Sequence, residues 1–229
     1  GELGEPAGAQ FEYQRRSPLS QAQNLKHVPV ALTHGWDDVT VSITHSQRMY
    51  TALVENGSIS PVLVLHPGDH GGPLTYDDIS FLAQWTLERT PRDLTVRADK
   101  SRSYYWMDIV QDTISVSDHW TLVEASYDPT TAVITALADD PKRLQLAFDL
   151  HWMGLPADIM YTIEDYAPAT GDYTSRTVPP SNGKISVDLA PGVHRLTISP
   201  GAGGQLQANT YRQGDLGYAG ASDTTLSHI

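Results

Sequence analysis

Two short apolar runs, each breaking into a turn that carries an ionisable side chain, restrict the possible folds of this chain more than any other feature. Val28–Pro29–Val30–Ala31–Leu32–Thr33 runs into His34–Gly35–Trp36–Asp37–Asp38. Pro61–Val62–Leu63–Val64–Leu65–His66 runs into Gly68–Asp69–His70–Gly71–Gly72. Continuous apolar runs of this length suit strands covered on both faces, as in a parallel sheet. The segment between them reads as a helix. Thr44–His45–Ser46–Gln47 has the spacing of a capping box, Met49, Tyr50, Leu53 and Val54 recur at helical spacing, and Asn56–Gly57 stops the run. A second helix is expected from Thr75 to the neighbourhood of Thr90–Pro91, with Ile79, Phe81, Leu82 and Trp85 on its inner stripe. Asp77 and Asp78 fall in its first turn, where negative charge suits the helix dipole. Strand, turn, helix, strand, turn, helix is a βαβα unit.

Near Pro91 the texture changes to period two with frequent turn residues. Candidate strands are Tyr104 to Val110, Thr121 to Tyr127, Ala132 to Leu137, Leu144 to His151, Ile159 to Glu164, Lys184 to Leu189 and Val193 to Ser199. Short strands at this spacing predict an antiparallel β-sandwich, in which Trp106, Trp120 and Trp152 read as core residues. From Gly201 on, Gly, Gln, Ala, Thr and Ser dominate and predict an irregular tail. The expected fold is therefore α/β plus all-β, divided as residues 1–98, 99–200 and 201–229. No internal repeat is visible.

A strand that ends in His34–Gly35 and turns at once leaves Asp38 above the carboxyl edge of the sheet, where open α/β sheets hold their ligands. A carboxylate there can fix the tautomer of an imidazole and stabilise its protonated form. His70 lies beyond its strand in a loop whose Gly71–Gly72 permits close approach to another surface, as a general base requires. Taken alone, each residue reads more readily as an ordinary turn or loop side chain, since Asp favours turns. His66 lies too near its strand terminus to swing over the sheet edge. His34, Asp38, His66 and His70 could be read as zinc ligands, but no helical H-E-x-x-H accompanies them. No G-x-S-x-G occurs in the 229 residues. Ser17, Ser42, Ser46 and Ser58 lack the strand–elbow–helix setting of a nucleophile, and Ser222 lacks the second glycine.

Composition closes off other classes. A formal charge of −12 opposes a nucleic acid or anionic membrane partner. Cysteine is absent, which removes disulfides and thiol catalysis without fixing the compartment, secreted or cytoplasmic. Gly1 to Gln10 is neither basic nor apolar, so it is no signal peptide and reads as a break within a longer protein. No cofactor or metal is expected.

Taken together, Ser17–Pro18, the strand Val28–Val30, His34–Gly35–Trp36–Asp37–Asp38–Val39–Thr40–Val41, Ala52–Leu53, Gly57 and Asp69–His70–Gly71 resemble the C-terminal end of the prolyl oligopeptidase family of α/β-hydrolases. Xaa-Pro dipeptidyl peptidases and cocaine-esterase-like acyl hydrolases, which carry a β-sandwich after the hydrolase domain, are similar. The resemblance covers about Ser17 to Arg89. It implies Asp38, not Asp37, as the acid of a catalytic triad, His70 as the base, and Val41 as an apolar residue packed under the acid turn. It also implies a peptide or ester substrate, with the nucleophilic serine on an upstream segment or a separate chain. The rival expectation is a non-catalytic β-sandwich that binds a glycan or a protein, with the hydrolase-like part as scaffold.

Overall fold

The computed structural model describes residues 8–71, 76–112 and 118–201. The expected tail after Gly201, with Ser222, and the expected helix start at Thr75 lie outside them. A short helix α1 (Gln10–Arg15) and a kinked 3₁₀ segment, Pro18–Leu25, lead into the first apolar run. The two runs form β1 (Ala31–Gly35) and β2 (Val62–His66), paired in parallel from Ala31 opposite Val62 to Gly35 opposite His66. Helix α2 (Thr44–Glu55) connects them and buries Leu53 completely. Asn56 ends it, and Gly57 reverses the chain at φ +68°, a left-handed geometry that glycine adopts at little cost. Helix α3 (Tyr76–Ala83) follows β2, so the βαβα order is present.

Two local expectations for these helices need correcting. The capping box at Thr44–Gln47 does not form, because Ile43 is already helical and Thr44 lies inside the first turn. The Thr44 hydroxyl pairs instead with Ser42 Oγ at 2.9 Å. Helix α3 stops at Ala83 rather than near Thr90, because the N–H groups of Gln84 and Trp85 donate to the carbonyls three residues back, Phe81 and Leu82.

The rest of the chain is antiparallel. Its strands are β3 (Asp93–Ala98), β4 (Arg102–Tyr104), β5 (Met107–Gln111), β6 (Thr121–Asp128), β7 (Val133–Asp140), β8 (Leu144–Asp149), β9 (Tyr161–Ala167), β10 (Asp172–Val178), β11 (Lys184–Leu189) and β12 (Gly192–Pro200). Six of them form a sheet in the order β10-β9-β12-β7-β6-β3, and four form a second in the order β11-β8-β5-β4. Inward residues of both sheets, such as Ile134, Ile163 and Ile198 from the first and Ile109, Phe148 and Ile185 from the second, share one core. That is a β-sandwich built on period-two alternation.

The sequence pattern missed several sandwich details. Tyr104 to Val110 is not one strand but a hairpin turning at Tyr105 (φ +51°) and Trp106, because the Trp106 indole enters the core and donates to the Pro91 carbonyl at 2.6 Å. The strand from Leu144 ends at Asp149, whose carboxylate caps the short helix α4 (Leu150–Met153) through the Trp152 N–H. Trp152 is 54% exposed rather than core, and Trp120 is half-buried. Strand β10 carries almost no apolar alternation and is held by its backbone ladder to β9. Strand β3 lies before residue 99, so the first strand of the sandwich starts inside the stretch assigned to the hydrolase-like part. Its charged neighbours and the nearby Pro91 hide the inward set Leu94, Val96 and Ala98.

Strand β3 is also where the two parts meet. As the last strand of its sheet it would present unpaired backbone groups to solvent. The Asn24 side chain covers them, donating to the Arg97 carbonyl at 2.9 Å and accepting from the Arg97 N–H at 2.8 Å. The Arg97 guanidinium donates to the Ser20 carbonyl and lies 4.3 Å above the Trp120 ring, which Phe11 meets edge-on. Lys26 pairs with Asp93 alongside.

Candidate functional site

The turns after β1 and β2 lie against each other because the strand ladder continues past its last paired residues. The Trp36 N–H donates to the His66 carbonyl at 3.0 Å and the Asp37 N–H to the Gly68 carbonyl at 3.1 Å. Gly35 permits this approach, since a Cβ there would collide with the carbonyl oxygens of Gly68 and Asp69. The acid turn is thereby pressed onto the loop that carries His70.

Asp38 closes its own turn. Its Oδ1 accepts the N–H groups of Thr40 and Val41, both at 2.8 Å, an arrangement natural to Asp at the head of a tight turn. Its Oδ2 is then left to accept from His70 Nδ1 at 3.0 Å. The Asp38 side chain is 5% exposed and that of His70 is 56% exposed. The Val41 N–H, above all, holds the Asp38 carboxyl down at about 2 against the opposing effect of its burial, with His70 and Thr40 adding to the shift. An ionised carboxylate therefore faces Nδ1 of an imidazole. His70 Nε2 makes no hydrogen bond among the described residues.

The structure brings Asp38 and His70 together and leaves their competitors apart. Asp37 is exposed, and His66 Nδ1 turns to the adjacent Pro67 carbonyl at 3.1 Å. Among the described residues, no group of three or more His, Asp or Glu is placed to hold a metal ion. No described serine hydrogen-bonds His70; Ser42 bonds Thr44, and Ser46 bonds His34. No helix of the described residues is long and apolar enough to cross a membrane.

Sequence reasoning missed three contributors to this geometry: Gly35, Ser46 and the backbone of Val41. Beyond the apolar side chain expected under the turn, Val41 contributes its backbone: its N–H binds Asp38 and its carbonyl accepts from His34 Nε2 at 3.0 Å. His34 is buried, with Nδ1 2.8 Å from Ser46 Oγ. The adjoining His34–Gly35 at a strand end, four residues before an acid, is the signal that could have revealed the arrangement. Beside the pair, Trp36 and Val39 are 55% and 91% exposed.

The parallel strand pair thus brings one carboxylate and one imidazole into contact at its strand ends. A model of the prolyl oligopeptidase family matches residues 2–89. This supports a relationship to that family over the N-terminal stretch that contains both Asp38 and His70. No curated protein matches the chain significantly. Among solved structures, a xyloglucanase of glycoside hydrolase family 44 from Paenibacillus polymyxa, determined with xyloglucan, is similar at 8% identity and a TM-score of 0.26. That likeness covers 75% of this chain, which spans only 32% of the xyloglucanase. A TM-score this low does not define a shared fold.

Proposed function

We propose that this chain is part of a serine peptidase or esterase of the prolyl oligopeptidase kind, to which it contributes the acid and the base. The observation that carries the reading is the 3.0 Å contact from His70 Nδ1 to Asp38 Oδ2 at the ends of adjacent parallel strands. The nucleophilic serine lies outside residues 1–229, on an upstream segment or a separate chain. His70 Nε2, free of other partners among the described residues, accepts the serine proton as Oγ attacks the acyl carbon. The imidazolium returns that proton to the leaving amine or alcohol as the scissile bond breaks. Water then repeats the sequence on the acyl-enzyme. Asp38, kept ionised by the Val41 and Thr40 N–H groups, holds Nδ1 protonated and stabilises the imidazolium. The sandwich braces this unit through Asn24 and Arg97.

The test joins the chain to the segment carrying its G-x-S-x-G serine and follows hydrolysis of p-nitrophenyl esters and Xaa-Pro amides. The expected loss in kcat is about 10⁶-fold for His70→Ala and about 10⁴-fold for Asp38→Asn. A His70→Ala protein that hydrolyses as fast as its parent overturns the reading.

A further inference from the structure

The Asp38 turn is fastened from behind by two side chains to which the proposed mechanism gives no role. His34 is buried at the end of β1, and both of its ring nitrogens are engaged. Nε2 faces the Val41 carbonyl at 3.0 Å, and a carbonyl can only accept, so Nε2 carries the proton. In the neutral ring Nδ1 is then bare and accepts from the Ser46 hydroxyl at 2.8 Å. Ser46 stands in the first turn of α2, so the chain of contacts runs from α2 through the imidazole to the carbonyl of Val41. The N–H of that same residue binds Asp38 Oδ1. His34 Nε2 itself also lies 3.6 Å from Asp38 Oδ2, the oxygen that His70 uses.

We propose that Ser46 and His34 are positioning residues for the acid. Ser46 fixes the tautomer and rotation of His34, His34 fixes the Val41 peptide, and that peptide holds the Asp38 carboxylate with Oδ2 turned toward His70. The physical logic is that of an outer shell, which orients a working group through the hydrogen bond on its far side. Without the Ser46 hydroxyl the His34 ring can rotate or take the other tautomer. The bare Nε2 would then face the Val41 carbonyl, two acceptors in contact, and the turn would shift away. This inference rests on the Asp38–His70 pairing proposed above, and its test separates the two.

The experiment uses the full 229-residue chain and reads the His70 tautomer from its ring ¹⁵N chemical shifts by NMR, with melting temperature recorded alongside. In the parent, His70 is expected as the Nδ1–H tautomer, and Asp38→Asn is expected to abolish that preference. Ser46→Ala is expected to lower the ratio of Nδ1–H to Nε2–H at His70 by about fivefold, the effect of weakening one hydrogen bond of ordinary net strength. Ser46→Thr, which keeps the hydroxyl, restores the parent ratio. A merely structural Ser46 would lower the melting temperature and leave the His70 ratio unmoved, and that result overturns the positioning role. If His34→Gln folds, its amide N–H can replace Nε2–H at Val41, and it should keep more of the ratio than His34→Ala. If Asp38→Asn leaves His70 at the parent ratio, the acid–base pairing itself fails, whatever Ser46 does.

Discussion

The sandwich and the parallel strand pair treat apolar side chains in opposite ways. Every member of the buried core cluster lies between Leu94 and Ile198. Before Asp93, the described apolar side chains that are buried are Ala22, Leu53 and Pro91. Strand β7 alternates buried and exposed positions along its length, whereas the all-apolar β2 buries none of its five residues. Val64, Leu65, Ile79 and Leu82 are each 39–58% exposed. Continuous apolar strands are the pattern of a sheet covered on both faces, and here much of that cover is not provided by the described residues. The difference shows that the sandwich encloses its own apolar side chains, while the described residues leave much of the apolar surface of the strand pair and its helices uncovered. That fits a unit which holds an acid and a base but whose proposed nucleophile is supplied elsewhere.

Amide hydrogen exchange gives the largest expected contrast. Amides in β7 and β12 should exchange about 10²-fold or more slowly than those in β1 and β2, because local openings range from nearly free to globally costly. Equal protection in both parts would break the comparison. Next in size, Phe148→Ala should cost about 3–5 kcal/mol in denaturant unfolding and expose the whole sandwich, since Phe148 is fully buried. Asn24→Leu removes both side-chain bonds to Arg97 and should cost about 1–3 kcal/mol, because it leaves a backbone donor and acceptor unpaired at the β3 edge. Calorimetry of that variant should show the two parts melting further apart. Leu82→Ser, on an exposed face, should change stability by no more than about 0.5 kcal/mol in this chain alone. The same substitution should weaken association with the serine-bearing segment, and a large cost in isolation would mean the face is already covered.

The acid side of the pH profile gives the smallest expected effect. The Asp38 carboxyl sits at about 2, below its ordinary 3.8. Its contribution to the turn is therefore complete above about 3.8 and is lost as the pH falls toward 2. Exchange protection of residues 38–41 should fall in that window for the parent and stay flat for Asp38→Asn. Loss of hydrolysis at pH 5–6 in the joined enzyme would then have to come from a group other than Asp38.

Much of this arrangement was readable from residue order because it rests on local rules. Continuous apolar runs gave β1 and β2, Asn56–Gly57 gave the end of α2, and strict alternation gave β6, β7, β11 and β12. Where a local pattern competed with a distant contact, the distant contact decided. Trp106 bent a predicted strand into a hairpin because its indole reaches the core and the Pro91 carbonyl. Strand β10 was missed because an edge strand needs only a backbone partner, and its side chains carry no record of one. Ser46 showed nothing of its place behind the acid, since its contact with His34 spans a turn and a helix start.

For the site itself, the order of residues determined that an acid and an imidazole would stand at the tips of two neighbouring strands. Strand periodicity and turn chemistry act over a few residues and are written in them. Only the tertiary structure decided which carboxylate oxygen meets His70, that Gly35 lets the two loops touch, and that His34 and Ser46 stand behind the turn. Those outcomes depend on separations of about 3 Å between groups distant along the chain, which are set by packing and hydrogen-bond geometry rather than by spacing.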